Sequence, residues 1–290
     1  MKGIILAGGS GSRLYPMTIP ISKQLCSVSQ KPLIYYPLTT LIQMGIKDIL
    51  IISDPINLTS YQRLLEYGEQ FGINISYTVQ PKPEGIAQAL LLGEDFINED
   101  NFCLILGDNI YYSSIFEQSF DLLCNRSNHL MLYEHPSSHR FGVAVFDGEF
   151  VCKVVEKPKN PPSNYIVTGL YFFNKFAIEA AKQIKKSARG EYEITDVISR
   201  LIETTHVTYT TLVSPYDLWC DVGITATFEA TTRFIDSIYT LTRRMIGCPH
   251  EAALKRKFID NDTMVFNLNR INMINSEYGK YIINCCKKNS

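Results

Sequence analysis

Residues 3–16 read GIILAGGSGSRLYP, and residue types in that order can bind a polyphosphate. A short apolar run over 3–7 enters a turn holding Gly8, Gly9 and Gly11, and the turn closes on Arg13. Glycines admit φ > 0 and let the backbone approach a ligand closely, so main-chain N–H groups can converge on phosphate oxygens while a guanidinium forks onto them. Taken alone, the same residues describe a tight strand-to-helix turn with a surface arginine. Two familiar phosphate patterns are absent. GxxxxGK[ST] does not occur, and GxGxxG breaks at Leu14, with no acidic residue ending a second strand to hold a ribose. Lys23, inside ISKQL, can add a second cation to the same phosphates, its ordinary alternative being a solvated loop lysine.

Two carboxylates suit a divalent metal. Asp108 in LILGDN follows a buried-type strand, and Asp221 lies in LWCDVG. Magnesium takes one or two carboxylates together with phosphate oxygens and water. Each Asp could also serve a turn, and Asp221 could cap the helix that follows it. Further on, VVEKP sets Glu156 and Lys157 at a strand end, VTGLY offers a glycine-bearing strand, and ARGEYEITD places Arg189 beside a glycine. Glu156 can accept hydrogen bonds from hydroxyls, and Lys157 with Arg189 can neutralise a monophosphate. A surface salt bridge explains Glu156 and Lys157 equally well. Gln80 carries a carboxamide that donates and accepts, which is what reading a pyrimidine edge requires.

Such residues need elements to hold them. Apolar runs alternate with amphipathic segments: strands are predicted over 3–7, 48–53, 74–79 and 102–106, with helices over 33–44, 60–71 and 86–97. That alternation implies an α/β fold with a mostly parallel central sheet flanked by helices. Ligands of such sheets sit at the carboxyl ends of strands, which makes GGSGSR, QPKPEG and GDN the segments to watch. A helix is expected over 115–125, then strands over 129–134, 141–146, 150–155 and 166–173, with Asp147-Gly148 as a hairpin turn. Helices over 175–186 and 194–204 and a strand over 206–213 follow, LWCDVG leads into a helix, and residues 241–290 read as a C-terminal helical appendage.

The 290 residues are 46% hydrophobic and 20% charged, with net charge −1, an ordinary globular balance that gives no general electrostatic case for nucleic acid. Any polyanion must therefore meet a local basic site. No apolar run is long enough to span a membrane. Eight cysteines at 26, 103, 124, 152, 220, 248, 285 and 286 show neither a CxxC pair nor a zinc-type spacing, so reduced thiols and a cytoplasmic location are expected. Pro136 between His135 and His139 argues against a helical metal pair and for loop histidines.

Taken in order, LAGGSGSRLYP, ISKQL, KPLIYYPL, VQPKPEGIAQA, LGDN, FGV, EKP, SNYIVTGLYFF, RGEYEITD and WCDVG resemble the sugar nucleotidyltransferases, and within them the thymidylyl-transferring branch that feeds dTDP-deoxysugar synthesis. CPHEAALKRKFID and YGKYI are similar to that branch's C-terminal helices. The resemblance implies a Rossmann-like core over 1–240, with a nucleotide-binding part over about 1–110 and an inserted sugar-binding part over about 111–225. It implies dTTP and a sugar 1-phosphate, α-D-glucose 1-phosphate above all, as substrates, and magnesium on Asp108 and Asp221. UTP or an N-acetylhexosamine 1-phosphate would use the same chemistry, and a silent nucleotide-binding regulator is the reading from another class. By the same resemblance Arg13 and Lys23 are the triphosphate and catalytic cations. Leu6, Gly8, Gly9 and Gly11 line the nucleotide, and Gln80 and Gly85 read the base. Asn109, Gly142, Glu156, Lys157, Val167, Tyr171 and Arg189 form the sugar phosphate side, and a homotetramer is expected. Departures are visible. The family's Asp-Thr-Gly-Thr is Asp221-Val222-Gly223-Ile224 here, LLPV is Leu25-Cys26-Ser27-Val28, GSGTR is GSGSR, and His250 stands where an acidic residue is usual near the family's allosteric nucleotide site.

Overall fold

Ile4 and Ile5 are neighbours in one strand, both fully buried, and face opposite layers of apolar side chains. That alternation is the plan of the whole sheet, because successive side chains of a strand point to opposite faces. The structure, a computed structural model, describes residues 1–118, 128–204, 207–212 and 217–288. The expected helix over 115–125 and strand over 206–213 thus fall partly outside the described residues, as does Cys124.

The strands in chain order are β1 (Lys2–Leu6), β2 (Ser27–Val28), β3 (Lys31–Pro32), β4 (Asp48–Ser53), β5 (Asn74–Val79), β6 (Phe102–Leu106), β7 (Asn109–Tyr112), β8 (His129–Glu134), β9 (Gly142–Asp147), β10 (Phe150–Glu156), β11 (Tyr165–Phe173), β12 (Thr208–Leu212) and β13 (Leu218–Asp221). Strands β6, β1, β4 and β5 run side by side and parallel. On the other flank β11 joins β6 antiparallel, and β8 and β9 both pair with β11. The hairpin partner β10 pairs with β9, and β12 lies parallel to β8. The sheet is therefore parallel in its first half and mixed beyond it. Two ribbons stand apart, β2 with β3 and β7 with β13.

Three apolar clusters hold this together. On one face Ile5, Ile51 and Ile105 pack with Tyr35, Leu38 and Phe71 and with the C-terminal helices Pro249–Lys255, Asn261–Arg270 and Glu277–Lys288. On the other face Ile4, Leu50 and Leu104 meet the helices Gln88–Leu92, Phe176–Gln183 and Ile194–Thr204. A smaller cluster of Leu14, Val28, Tyr36, Ile110, Val222 and Phe228 sits beneath the glycine turn. The helix expected over 60–71 runs only from Leu58 to Leu65, because Glu66 at φ 50 and Gly68 at φ 97 leave the helical region. The one expected over 86–97 is broken at Gly93 into Gln88–Leu92 and Glu94–Ile97.

The departures at 222, 224 and 250 have physical accounts. Val222 is fully buried in the small apolar cluster, where a threonine hydroxyl would need a partner. Ile224 stands at the start of the helix Thr225–Thr242 and has no capping oxygen, and the Thr227 hydroxyl accepts the Ile224 N–H at 3.4 Å. His250 is a core residue with its ring 4.5 Å from that of Phe71, and burial holds its imidazole down to about 3, hence neutral. No described helix is long and apolar enough to cross a membrane, and Cys26, Cys152, Cys220, Cys248 and Cys285 form no disulfide.

Candidate active site

The parallel strands end together, and the chemistry-bearing residues follow their ends. β1 runs out into Ala7 and Gly8 while β6 runs out into Gly107 and Asp108, with the Gly107 N–H donating to Leu6 O at 2.9 Å. Gly9 at φ 103 and Gly11 at φ 60 lie in the left-handed region, so the GGSGSR turn needs glycine there. Gly8 is needed for space, since a Cβ would lie 2.5 Å from Gln80 Oε1. Gln80 leaves the end of β5, is 4% exposed, donates its backbone N–H to Ser53 O at 2.7 Å and its Nε2 to Gln88 Oε1 at 2.8 Å. Its Oε1 is left facing the glycine turn. Gly85, at φ 110, packs on the backbone of Tyr192, and the Tyr192 N–H donates to Glu84 O at 2.7 Å. The PEG loop is thereby tied to the RGEYEITD segment.

Lys23 lies in a one-turn helix, Lys23–Leu25, and is 9% exposed. Its ammonium hydrogen-bonds to Asp108 Oδ2. Asn109 Nδ2 donates to the other oxygen, Oδ1, at 2.9 Å. Asn109 Oδ1 in turn accepts from Trp219 Nε1 at 2.6 Å and from the Gly169 N–H at 3.2 Å. This last bond uses the irregularity in β11, whose pairing with β8 shifts register between Val167 and Tyr171. Asp221 faces Asn109 across the β7–β13 ribbon, and the Val222 N–H donates to Asp108 O at 3.0 Å. One short ribbon thus brings the two acidic residues together.

Burial and mutual charge pull the carboxyls apart. Burial favours the neutral form of Asp108, but the Lys23 charge and the hydrogen bonds from Lys23 and Asn109 override it and hold the group below the ordinary carboxylate range. Asp221 is pushed up to about 6, by burial first and then by the Asp108 charge, with Lys23, Arg13 and Arg140 opposing. A second anion at Asp221 is costly without an added cation. Two carboxylates whose charges oppose each other at the edge of a polar cavity are a donor set that suits a hard divalent ion shared with phosphate oxygens. Among the described residues there is no cluster of three or more such ligands, so substrate or water would have to supply the rest.

Two cavities meet at this point. One, of about 400 Å³, is lined by Leu6, Gly8, Gly9, Gly11, Arg13, Lys23, Gln80, Gly85 and Asp108. It gathers every residue expected on the nucleotide side. The other, of about 210 Å³, is lined by Asn109, Gly142, Glu156, Lys157, Val167, Tyr171 and Asp221 from the expected sugar side. Arg13 and Asp108 line both. Arg189 lines neither. Its guanidinium is held by Glu156 at 3.3 Å, Glu191 at 3.0 Å and Glu193 at 3.2 Å, so it meets the sugar-side cavity through Glu156 and the nucleotide-side cavity through Glu191.

Several lining residues escaped the sequence. Gln24, next to Lys23, lines the first cavity, and Arg140, Phe141, Thr195 and Trp219 line the second. A polar Gln beside the candidate lysine and the chain's single tryptophan were the available signals. His135, expected in a surface loop, is half-buried with its ring 5.2 Å from Phe141 and 6.1 Å from Trp219.

With this geometry in hand, comparison with known proteins is direct. Residues 2–237 match the nucleotidyl transferase family. A glucose-1-phosphate thymidylyltransferase of Neisseria meningitidis serogroup A is 42% identical over 99% of this chain and 100% of its own length. One from Mycolicibacterium smegmatis is 41% identical over 98% of each. A Bacillus anthracis protein assigned the same activity, solved with a sucrose, superposes with a TM-score of 0.75 at 37% identity, covering 81% of this chain and 94% of that one. A UDP-glucose pyrophosphorylase solved with UDP-glucose shares the fold at 22% identity, with a TM-score of 0.72 over 81% of this chain and 98% of its own.

Proposed function

This chain belongs to the nucleotidyl transferase family, and on that premise we propose that it makes dTDP-glucose and pyrophosphate from dTTP and α-D-glucose 1-phosphate. The observation that carries this is the shared wall of the two cavities. Arg13 and Asp108, with Lys23 bonded to Asp108, stand where a nucleotide in one cavity would meet a sugar phosphate in the other. Full-length relatives named for this activity supply the substrates.

A phosphate oxygen of the sugar 1-phosphate attacks the α-phosphorus of dTTP in line. The new P–O bond forms as the α–β bond breaks, and pyrophosphate leaves with the electron pair. The nucleophile is already an anion at neutral pH, so the protein has to hold two polyanions together and stabilise the charge that develops. Arg13 neutralises the leaving pyrophosphate, and Lys23 supports the α-phosphate. Lys157 orients the attacking phosphate and Glu156 takes sugar hydroxyls, while Arg189, which lines neither cavity, holds the Glu156 carboxylate at 3.3 Å. The free Oε1 of Gln80 accepts the imide N–H of thymine. Magnesium, held by Asp108 and Asp221, would supply Lewis-acid neutralisation of phosphate charge when bound. The same reading assigns residues 1–110 to the nucleotide and 111–225 to the sugar, and takes the protein as a cytoplasmic homotetramer, which light scattering checks.

The test is pyrophosphate release from a matrix of dTTP, UTP, CTP and GTP against several hexose 1-phosphates with magnesium. Fastest release is expected for dTTP with glucose 1-phosphate. Faster release with UTP or an N-acetylhexosamine 1-phosphate would reassign the substrates, and no release from any pair would overturn the enzymatic reading.

A further inference from the structure

Most cations near the sugar-side cavity already serve a carboxylate. Lys23 is bonded to Asp108, and Lys157 Nζ lies 3.1 Å from Glu156 Oε1. Arg189 is held by three glutamates. Among the described residues, Arg13 and Arg140 are the cavity-lining cations that form no ion pair with a carboxylate. Arg13 belongs to the glycine turn and lines the nucleotide cavity too. Arg140 does not, and lines instead an adjoining chamber of about 210 Å³ with Phe141, Trp219 and Asp221.

The position of Arg140 is built rather than incidental. It ends the one-turn helix Ser138–Arg140, whose Ser138 is buried, and its N–H donates to Ser137 O at 3.2 Å. The guanidinium lies over the Phe141 ring, 5.5 Å from its centroid. That ring packs edge-on against Trp219 at 5.3 Å, and Trp219 is fixed through its bond to Asn109. The Lys157 N–H donates to Phe141 O at 3.0 Å, and Gly142 pairs with Glu156 across β9 and β10. Arg140 and Lys157 therefore leave the same end of one hairpin, on the wall of one cavity.

We propose that Arg140 is a substrate-binding residue, whose guanidinium takes the phosphate of the sugar 1-phosphate beside Lys157; this rests on the nucleotidyl-transfer reading above. The cavity wall carries Asp108, Glu156 and Asp221, so an incoming phosphate dianion meets anions on several sides. A lysine already neutralised by its own glutamate offers little net attraction. A guanidinium stacked on an aromatic ring keeps its N–H edge free for a bidentate bond to phosphate.

Arg140→Met keeps the packing on Phe141 and removes the charge. Losing a charge-assisted hydrogen bond should raise KM for glucose 1-phosphate roughly 10- to 100-fold, with KM for dTTP and the melting temperature nearly unchanged. Arg140→Lys, which keeps the charge and loses the fork, should recover part of the loss. Unchanged KM for glucose 1-phosphate in either folded variant overturns the assignment, and so does a rise confined to dTTP. If the parent protein releases no pyrophosphate from any substrate pair, the nucleotidyl-transfer reading itself fails and takes this assignment with it.

Discussion

The bond between the Lys23 ammonium and the Asp108 carboxylate joins the two halves of the site, and both partners are mostly buried, with side-chain exposures of 10% and 17%. Removing the cation therefore acts twice, on the transition state and on the carboxylate left behind. Lys23→Ala should lower kcat for pyrophosphate release by ~10² to 10³, the range for one preorganised donor, and a rate equal to the parent's would remove Lys23 from the chemistry. Asp221 makes a different prediction. Its folded-state pKa is raised from the ordinary 3.8 to about 6, by burial first and by Asp108 second. Between those values the folded protein holds more proton than the unfolded chain, so stability falls as pH rises through the window and stays low above it. Without metal, Asp221→Asn should melt higher than the parent above about pH 6, by about 3 kcal/mol at full ionisation, and should match it near about pH 4. Melting curves in chelator over that range decide it, and a parent as stable as the variant at neutral pH would mean that Asp221 is not destabilised by its neighbours. Stability surrendered at such a residue is characteristic of functional sites.

At the scale of elements, the Lys23 turn is held against the glycine turn by one helix that touches no substrate cavity with its hydroxyl. Tyr61, fully buried in the helix Leu58–Leu65, contacts Ser22 Oγ at 2.7 Å, Ala7 O at 3.2 Å and Gln24 Oε1 at 3.5 Å. Asn57 adds its Oδ1 as acceptor for the Ser22 N–H at 2.9 Å. Tyr61→Phe loosens this hub without opening a cavity, so kcat should fall roughly 3- to 30-fold through misplaced Lys23 while both KM values hold. A variant with parent kcat would show that the turn is rigid without the hydroxyl. Tyr61 also marks where sequence stops being readable. Strands β1, β4 and β6 were legible because each is an apolar run bounded by turn residues, and β5 because Ile75, Tyr77 and Val79 alternate with polar residues; the cavity-lining residues that follow them stood out by type and order. Strand β7 was not legible, because its partner β13 comes from far along the chain and neither Asn109 nor Asp221 announces a pairing. The end of the helix after Leu65 was hidden too, since Tyr61, Leu65 and Phe71 continue an apolar pattern while the backbone turns away at Glu66. Arg140 and Trp219 acquire their places only through Phe141 and Asn109, which are contacts, not motifs.

The whole molecule separates its chemistry from much of its stability. The residues lining the two cavities gather at the carboxyl ends of the parallel strands and on the adjoining antiparallel strands β9, β10 and β11, whereas the C-terminal helices complete the apolar layer on one face of the sheet. There Tyr278 OH lies 2.9 Å from His250 Nδ1 and 3.2 Å from Cys248 Sγ, joining the last helix to the first C-terminal one. Ile282 is fully buried in the same layer and lines neither substrate cavity. Truncating it removes buried methyl groups and leaves a void that close packing cannot fully heal, a loss of about 2 to 4 kcal/mol for Ile→Ala. In a chain of this length that corresponds to a melting temperature lower by roughly 3 to 7 °C. If the layer serves stability alone, Ile282→Ala should keep kcat and both KM values within about twofold of the parent at 25 °C, because nothing that touches substrate has moved. Melting curves and steady-state rates on one preparation separate the two effects. A kcat that falls along with the melting temperature would show that packing under the C-terminal helices reaches through the sheet to the strand ends, and that the two halves of the design are coupled.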